Sequence, residues 1–216
     1  MIRPTGHGDA VMDLDNAGGC SAMVCGNGRR CVGRYVYGRG IAKKETLRID
    51  TLSGVKTLHL DVANGTVQSI EVDMGEPVLE PASIPVLLSG ERAVSVPVEM
   101  GDDVFSVTCV SMGNPHCVLF VEDVDTLDLE ELGPRFEWNP LFRQGVNTEF
   151  IQPLPDGSLK MRVWERGSGE TWACGTGACA SVVAACLCGK AERPSVVHLR
   201  GVDVSIHWRG EGGQAL

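Results

Sequence analysis

The chain has little of what several large protein classes require. Lys and Arg number 19 against 28 Asp and Glu, a net charge of −9, which argues against a nucleic-acid binder because such proteins present a basic face. No apolar run approaches the roughly 18 residues of a membrane-spanning helix. Residues 1–13 also contain no apolar stretch typical of a secretory signal. We therefore expect a cytoplasmic protein with neither a nucleic-acid nor a membrane partner.

Signs of a metal, a cofactor or a disulfide scaffold are also missing. The nine cysteines include no Cys-x₂-Cys pair of the kind that structural zinc sites use. A chain of 216 residues that is 43% hydrophobic can bury a core without disulfides, so reduced thiols are expected. No Schiff-base motif is visible either. The sequence thus predicts no metal and no cofactor.

Most of the cysteines are expected to pack as small hydrophobic residues. This interpretation applies to the four that lie in apolar runs, which are Cys109, Cys117, Cys186 and Cys188. It applies equally to the three that flank two glycine-rich turns, which are Cys20, Cys31 and Cys179. Cys25 and Cys174 remain, and they are candidates for chemistry.

Alternating apolar and polar residues predict strands in both halves of the chain. Asn64-Gly65 between two such runs indicates a hairpin. The proline-rich stretch 76–85 is the best candidate for a boundary, which divides the chain into domains 1–80 and 81–216. The predicted strands occupy parts of 47–74 and then 93–98, 104–110, 117–121, 147–152, 158–164, 196–199 and 202–208.

Two helices are predicted, one in each half. The first follows Cys25, with Val32, Tyr35 and Val36 on one face. The second runs from about residue 177 to 188 and is apolar all round, which is typical of a buried helix. The pattern predicts an α+β fold of two similar domains, each a mixed β-sheet rolled around a central helix.

Each predicted helix begins at a turn of the form Cys-Gly-x-Gly. The two turns are Cys25-Gly26-Asn27-Gly28 and Cys174-Gly175-Thr176-Gly177. A helix N-terminus favours the thiolate form of a cysteine, and glycine lets backbone amides approach a carboxylate closely. One thiol acting as base and one as acid on opposite faces would invert an α-amino-acid centre without a cofactor. A single turn of this kind is a weak signal, since a tight turn with a buried thiol gives the same pattern.

The residues around the turns carry a more specific signal. Five sequence blocks follow one another in a fixed order, at 16–31, 113–116, 145–150, 165–171 and 173–180. In composition, order and spacing they resemble the diaminopimelate epimerase family, from about residue 10 to residue 208. The resemblance implies a cofactor-independent isomerase that interconverts LL- and meso-diaminopimelate in lysine and peptidoglycan precursor synthesis, with a homodimer as the usual assembly.

The resemblance also implies a role for individual residues. Cys25 and Cys174 match the two catalytic cysteines of the family, and Arg166 would clamp the distal carboxylate through its planar fork. His116 and Glu165 match residues that tune the protonation of the thiols. The substrate-binding set that the resemblance implies is Asn16, Gly26, Asn27, Asn114, Asn147, Glu165, Arg166, Gly175 and Thr176.

The chain departs from the family pattern at both ends. The opening strand with a His-Gly-x-Gly-Asn-Asp-Phe motif and the closing strand with a Met-x-Gly-Pro-Ala-type sequence are not found, so we expect an incomplete first domain. Three alternatives stay open. The first is a proline racemase or hydroxyproline epimerase, although that family carries His where this chain has Asn27. The others are a catalytically silent fragment that binds a ligand, and a redox-sensing thiol pair.

Overall fold

The computed structural model describes residues 1–3, 8–13, 26–52, 54–101 and 103–216. The chain divides into two compact units, Met1–Met74 and Gly75–Ala215. The division predicted after residue 80 stays a prediction.

Within its described residues, the first unit contains a five-stranded sheet and one helix. Its elements are β1 (Ile2–Arg3), β2 (Ala10–Met12), α1 (Gly26–Gly38), β3 (Thr46–Thr51), β4 (Gly54–Ala63) and β5 (Thr66–Val72). The strand order is β1-β2-β3-β4-β5, with β2 and β3 parallel and the other pairs antiparallel. The hairpin at Asn64-Gly65 is confirmed, since φ is 52° at Asn64 and 74° at Gly65.

Helix α1 buries one stripe against this sheet. Val32 and Val36 are buried as predicted, and Gly33 lets the helix lie so close that a Cβ there would be 2.8 Å from Leu58 Cδ2. The expectation for Tyr35 is wrong, because its side chain is 47% exposed. At about 100° per residue the stripe passes through positions 29, 32, 33 and 36 and leaves position 35 outside it. Cys31 also points to solvent, which contradicts its expected packing role.

The second unit is larger and contains an eight-stranded sheet. Its strands are β6 (Val96–Met100), β7 (Asp103–Ser111), β8 (Pro115–Phe120), β9 (Asn147–Pro153), β10 (Leu159–Glu165), β11 (Gly169–Thr171), β12 (Ser195–His198) and β13 (Asp203–Ile206). Its helices are a 3₁₀ turn (Val124–Thr126), α2 (Leu129–Glu137) and α3 (Gly175–Leu187). The strand order is β13-β12-β10-β9-β8-β7-β6, with β11 paired to β10. The pairs β8–β9 and β10–β12 are parallel, so this sheet is mixed as well.

Helix α3 is the centre of the second unit. Residues 176–185 are all buried, and the helix packs against β7, β8, β9, β10, β12 and β13. Two mixed sheets, one of them with the buried helix α3 packed against six of its strands, confirm the predicted α+β class. Cys179 is buried as expected, as are Cys109 and Cys117.

Helix α2 is absent from the sequence predictions. Asp128 caps its N-terminus by accepting a hydrogen bond from the Glu131 N–H at 3.2 Å, and acidic residues occupy its first turn. This capping pattern is a helix signal, but Pro134 inside the helix argues against one. The packing of Leu129 and Phe136 into the core overrides that cost.

Cys186 and Cys188 are half-buried, so the expectation that they pack as small buried hydrophobic residues holds only in part. Cys20 lies outside the described residues. In the part of the chain that the structure describes, no helix has both the length and the hydrophobicity for crossing a bilayer.

Candidate active site

Cys174 is the residue from which the site is built. It occupies the N-cap position of α3, between β11 and the helix, and is only 5% exposed. Gly175 is the first residue of the helix, and the side chain of Thr176 is buried beside the thiol. The helix predicted after the Cys-Gly-x-Gly turn therefore begins directly after the cysteine, with its first amides next to the sulfur.

The surroundings of Cys174 raise the pKa of its thiol well above the usual value. Burial is the main cause, and the carboxylates of Glu165 and Glu149 add to it. The Thr176 hydroxyl and the backbone N–H of Gly177 act in the opposite direction. The expectation that the helix N-terminus makes this thiol acidic is therefore wrong for Cys174. Desolvation in a fully enclosed helix outweighs the favourable field of the helix end.

Several predicted site residues lie in one hydrogen-bonded series. The Thr176 hydroxyl is 3.4 Å from Cys174 Sγ. Asn114, in the turn between β7 and β8, donates from Nδ2 to Thr176 Oγ1 at 3.4 Å. His116 on β8 lies with Nε2 3.1 Å from Asn114 Oδ1. The structure thus joins Asn114, His116, Thr176 and Cys174 through direct contacts.

Glu149 on β9 completes the series and has no assigned role in the sequence analysis. Its Oε1 is 2.7 Å from His116 Nδ1, and both side chains are fully buried. Burial raises the pKa of the Glu149 carboxyl, His116 lowers it, and Glu165 raises it again. Its second oxygen, Oε2, has no hydrogen-bond partner among the described residues.

The pairing of His116 with Glu149 depends on strand register. Strands β8 and β9 are parallel, with His116 opposite Asn147 and Val118 opposite Glu149. His116 and Glu149 are therefore diagonal neighbours on one face of the sheet. The only sequence signal is a charged residue within an otherwise buried strand, and it does not reveal the partner.

The same pair explains the second glycine of the Cys-Gly-Thr-Gly turn. A Cβ at Gly177 would lie 2.5 Å from Glu149 Oε1 and 3.0 Å from Met161 Cε. Glycine is needed here for space, because α3 lies directly on the carboxylate. The turn motif and the buried Glu149 are thus parts of one packing arrangement.

Asn147 links the start of β9 to the turn after β10. Its Nδ2 donates to the Pro115 carbonyl at 3.0 Å, and its Oδ1 accepts from the Arg166 N–H at 3.0 Å. The Asn147 amide nitrogen keeps one further hydrogen, and its oxygen keeps one further lone pair, with which to bind a ligand. The Arg166 side chain is exposed and donates to the Gln144 carbonyl at 2.8 Å.

Two more contacts hold the turn that follows β10. Glu165 accepts a hydrogen bond from the Thr171 hydroxyl. Glu137, at the end of α2, is buried and accepts from Trp164 Nε1 at 2.7 Å and from the Gly167 N–H at 2.8 Å. The helix that sequence analysis missed therefore supplies the anchor for the turn that carries Glu165 and Arg166.

Fewer of the predicted site residues of the first unit can be located. Cys25 and Asn16 lie outside the described residues, whereas Gly26 and Asn27 form the first backbone positions of α1. Among the residues that follow, Arg29 is 1% exposed and lies with Nη1 3.7 Å from Met74 Sδ. In the described ranges, no group of three or more His, Cys, Asp or Glu side chains could hold a metal ion.

The fold is shared with solved isomerases. A hydroxyproline epimerase from Agrobacterium vitis superimposes with a TM-score of 0.71 at 13% identity, covering 99% of this chain and 68% of its own. A probable proline racemase from Agrobacterium radiobacter K84 gives a TM-score of 0.71 at 15% identity, covering 99% and 69%. At these identities the likeness shows the fold alone.

Sequence comparison is more specific. The profile of the diaminopimelate epimerase family matches residues 1–80 and 108–216. The diaminopimelate epimerase of Acetivibrio thermocellus is 49% identical over 208 residues, covering 96% of this chain and 74% of that protein. The enzyme of the same name from Desulfitobacterium hafniense is 48% identical with the same coverage. With most of its length matched in this way, the chain belongs to the diaminopimelate epimerase family and is an isomerase.

Proposed function

We propose that the chain inverts one α-carbon of diaminopimelate and so interconverts the LL and meso forms without a cofactor. The observation that supports this proposal most strongly is a buried, hydrogen-bonded Cys174 in a chain that is 49% identical to a diaminopimelate epimerase. The same reaction would supply lysine and peptidoglycan precursor synthesis.

The proposed chemistry uses Cys25 and Cys174 from opposite faces of the α-carbon. One sulfur, as thiolate, takes the α-proton, so that an S–H bond forms while the C–H bond breaks. The electron pair left on carbon spreads into the adjacent carboxylate. The other sulfur, as thiol, then gives its proton to the opposite face, so that a new C–H bond forms and a thiolate remains. The two sulfurs have then exchanged protonation states, and proton exchange with solvent restores the starting forms before the next turnover.

We further propose that Cys174 is the protonated member of the pair in the resting protein. Burial and the nearby carboxylates of Glu149 and Glu165 raise the pKa of its thiol, which favours the neutral form at physiological pH. Cys25 would then rest as the thiolate. One sulfur is then already an acid and the other already a base before the substrate binds.

The remaining residues would bind and polarise the substrate. Backbone amides at the two helix N-termini, at Gly26 and Asn27 and at Gly175 and Thr176, suit the carboxylate of the reacting centre and the charge that develops there. Asn16, Asn114, Asn147 and Glu165 complete the binding set. The exposed guanidinium of Arg166 would hold the distal carboxylate through two parallel hydrogen bonds.

The proposal includes a cytoplasmic location and, from the family resemblance, a homodimer. Light scattering of the purified chain tests the assembly, with twice the mass of 23.1 kDa as the expected result. A mass of one chain would contradict the dimer and leave the chemistry to be tested separately.

The function is tested by incubating the purified chain with LL-diaminopimelate and separating the isomers by chiral chromatography. We expect the meso form to accumulate to equilibrium. Proline and 4-hydroxyproline serve as comparison substrates, because enzymes named for them share the fold. Turnover of either in place of diaminopimelate would overturn the substrate assignment. Saturable binding of diaminopimelate without inversion would indicate a silent binding protein.

A further inference from the structure

We propose that Glu149 is a positioning residue, which orients the hydroxyl of Thr176 toward the sulfur of Cys174 through an intervening His–Asn pair. The inference rests on the proposed function only in taking Cys174 to be a proton donor and acceptor.

The contacts of His116 determine which of its ring nitrogens carries a hydrogen. Its Nε2 faces Asn114 Oδ1 at 3.1 Å, and a carbonyl oxygen only accepts hydrogen bonds, so Nε2 carries a hydrogen. The contact of 2.7 Å between Nδ1 and Glu149 Oε1 then holds one proton between them. Whether that proton lies on nitrogen or on oxygen, Nε2 remains the donor toward Asn114.

The contact with His116 also determines the orientation of the Asn114 amide group. Because its Oδ1 accepts from His116, its Nδ2 is the end that lies 3.4 Å from Thr176 Oγ1. That nitrogen can only donate, so Thr176 Oγ1 accepts and its own hydrogen is free to point elsewhere. Among the residues that the structure describes, the sulfur of Cys174, 3.4 Å away, is the remaining partner of this hydroxyl.

All donors in the series therefore point toward Cys174. A hydroxyl that donates to sulfur favours the thiolate over the thiol, and donors in series strengthen one another in a buried site. The series offsets part of the penalty that burial imposes on the charged form of this thiol. Such a balance lets one sulfur both give and receive the proton during successive turnovers.

Glu149 is the residue that keeps the series in one direction. Without it, His116 Nδ1 would be an unpaired polar atom at a position with no solvent exposure, and the ring would gain by turning or by changing tautomer. Helix α3 prevents the carboxylate from moving away, since Gly177 leaves no room between them. Position and orientation are thus set by packing.

Two possible actions of Glu149 on Cys174 have opposite signs. Its negative charge raises the pKa of the thiol, whereas the oriented Thr176 hydroxyl lowers it. Removal of Glu149 therefore lowers this pKa if charge alone matters and raises it if orientation matters more. Glu165 on β10 also faces the thiol and is the same in every variant.

The test is a pH titration of the Cys174 thiolate by ultraviolet absorbance, in which each variant is measured against its own Cys174→Ser version so that the other cysteines cancel. Glu149→Leu is expected to raise the pKa by about one unit, a roughly tenfold loss of thiolate. Glu149→Gln is expected not to raise it, because its amide N–H can donate to His116 Nδ1. A lowered pKa, or an unchanged one, in Glu149→Leu would overturn the proposal.

Substitutions of Thr176 provide a second test, which does not depend on the single variant Glu149→Leu. Thr176→Val is expected to raise the pKa of Cys174, while the matched control Thr176→Ser retains the hydroxyl and is expected to keep it. In the Thr176→Val background, Glu149→Leu should add no further rise, because the last donor is already gone. An equal rise in both backgrounds would contradict a relay through Thr176.

The wild-type protein itself gives the most direct reading. Nitrogen NMR of isotope-labelled imidazole is expected to show a protonated Nε2 at His116, and Glu149→Gln is expected to keep it. An unprotonated Nε2 would overturn the proposal even if no variant folds. None of these measurements requires turnover, so a chain that fails to epimerise diaminopimelate would count against the proposed function and leave this inference to its own result.

Discussion

The two helices that follow the Cys-Gly-x-Gly turns differ far more than their common beginning suggests. Both contain 13 residues. Helix α1 buries a single stripe and carries three arginines, whereas α3 carries no charged residue and is buried along residues 176–185. One helix lies on a sheet, and the other is enclosed by one.

The difference shows that the turn alone does not set the character of its cysteine. Cys174 lies near the carboxylates of Glu149 and Glu165, which raise the pKa of its thiol together with burial. Cys25 is followed in sequence by Arg29 and Arg30, and from these positive charges we expect a thiol that ionises more readily than that of Cys174. We expect the two thiols to rest in opposite protonation states, as inversion by an acid and a base requires.

The largest expected effect comes from removing either thiol. Cys25→Ser and Cys174→Ser should each lower turnover by about 10² to 10⁴-fold, because the serine hydroxyl is too weak an acid to exchange protons at neutral pH. The measurement is the rate of α-deuterium release from labelled diaminopimelate.

Matched controls come from cysteines of the same two helices. Cys31→Ser in α1, at an exposed position, and Cys186→Ser in α3, at a half-buried one, should retain most of the activity. If Cys25→Ser or Cys174→Ser keeps a comparable rate, the assignment of that residue is wrong.

Local signals in the sequence predict much of this comparison, but two features, a buried side-chain pair and helix α2, are not predicted. Periodicity predicts both helices, and Asn64-Gly65 predicts the hairpin, because these signals are local. The His116–Glu149 pair depends on the parallel register of β8 and β9, whose residues are more than 30 positions apart along the chain. Helix α2 is not predicted because Pro134 disfavours a helix at this position. Tertiary packing overrides this low local helix propensity.

A second prediction compares glycines at the inner faces of the two helices. Gly177→Ala should destabilise the protein by about 1 to 3 kcal/mol, because the new Cβ would meet a fixed carboxylate at 2.5 Å. Gly33→Ala meets the flexible end of the Leu58 side chain at 2.8 Å, which can move aside, so its cost should be smaller. Denaturant unfolding of both variants measures the difference, and equal costs would contradict the packing described for α3.

A third prediction concerns the pH dependence of stability. The folded protein holds the pKa of Glu149 above its usual 4.5, mainly through burial. As pH rises above 4.5, the unfolded chain loses this proton while the folded chain retains it, so stability falls until pH passes the folded pKa. Glu149→Gln removes this slope, and its stability should improve relative to wild type with rising pH. If the free energy of unfolding changes with pH in the same way in both proteins, Glu149 does not take up a proton on folding and the prediction is wrong.

The smallest expected effect tests the two faces of α1. Tyr35→Ala should change stability by less than about 0.5 kcal/mol, since the ring is 47% exposed. Val36→Ala, one residue later and fully buried, should cost about 2 kcal/mol. Thermal unfolding of the pair decides the point, and a larger loss at Tyr35 would reverse the orientation given for this helix.

Inversion in heavy water tests the central claim most directly, which is that two separate groups handle the leaving and the arriving proton. In the first turnovers, the meso product should carry solvent deuterium at the inverted carbon, while recovered LL substrate retains its original hydrogen. A single group that removes and returns the same proton gives product with the original hydrogen, and that result would contradict a mechanism based on Cys25 and Cys174.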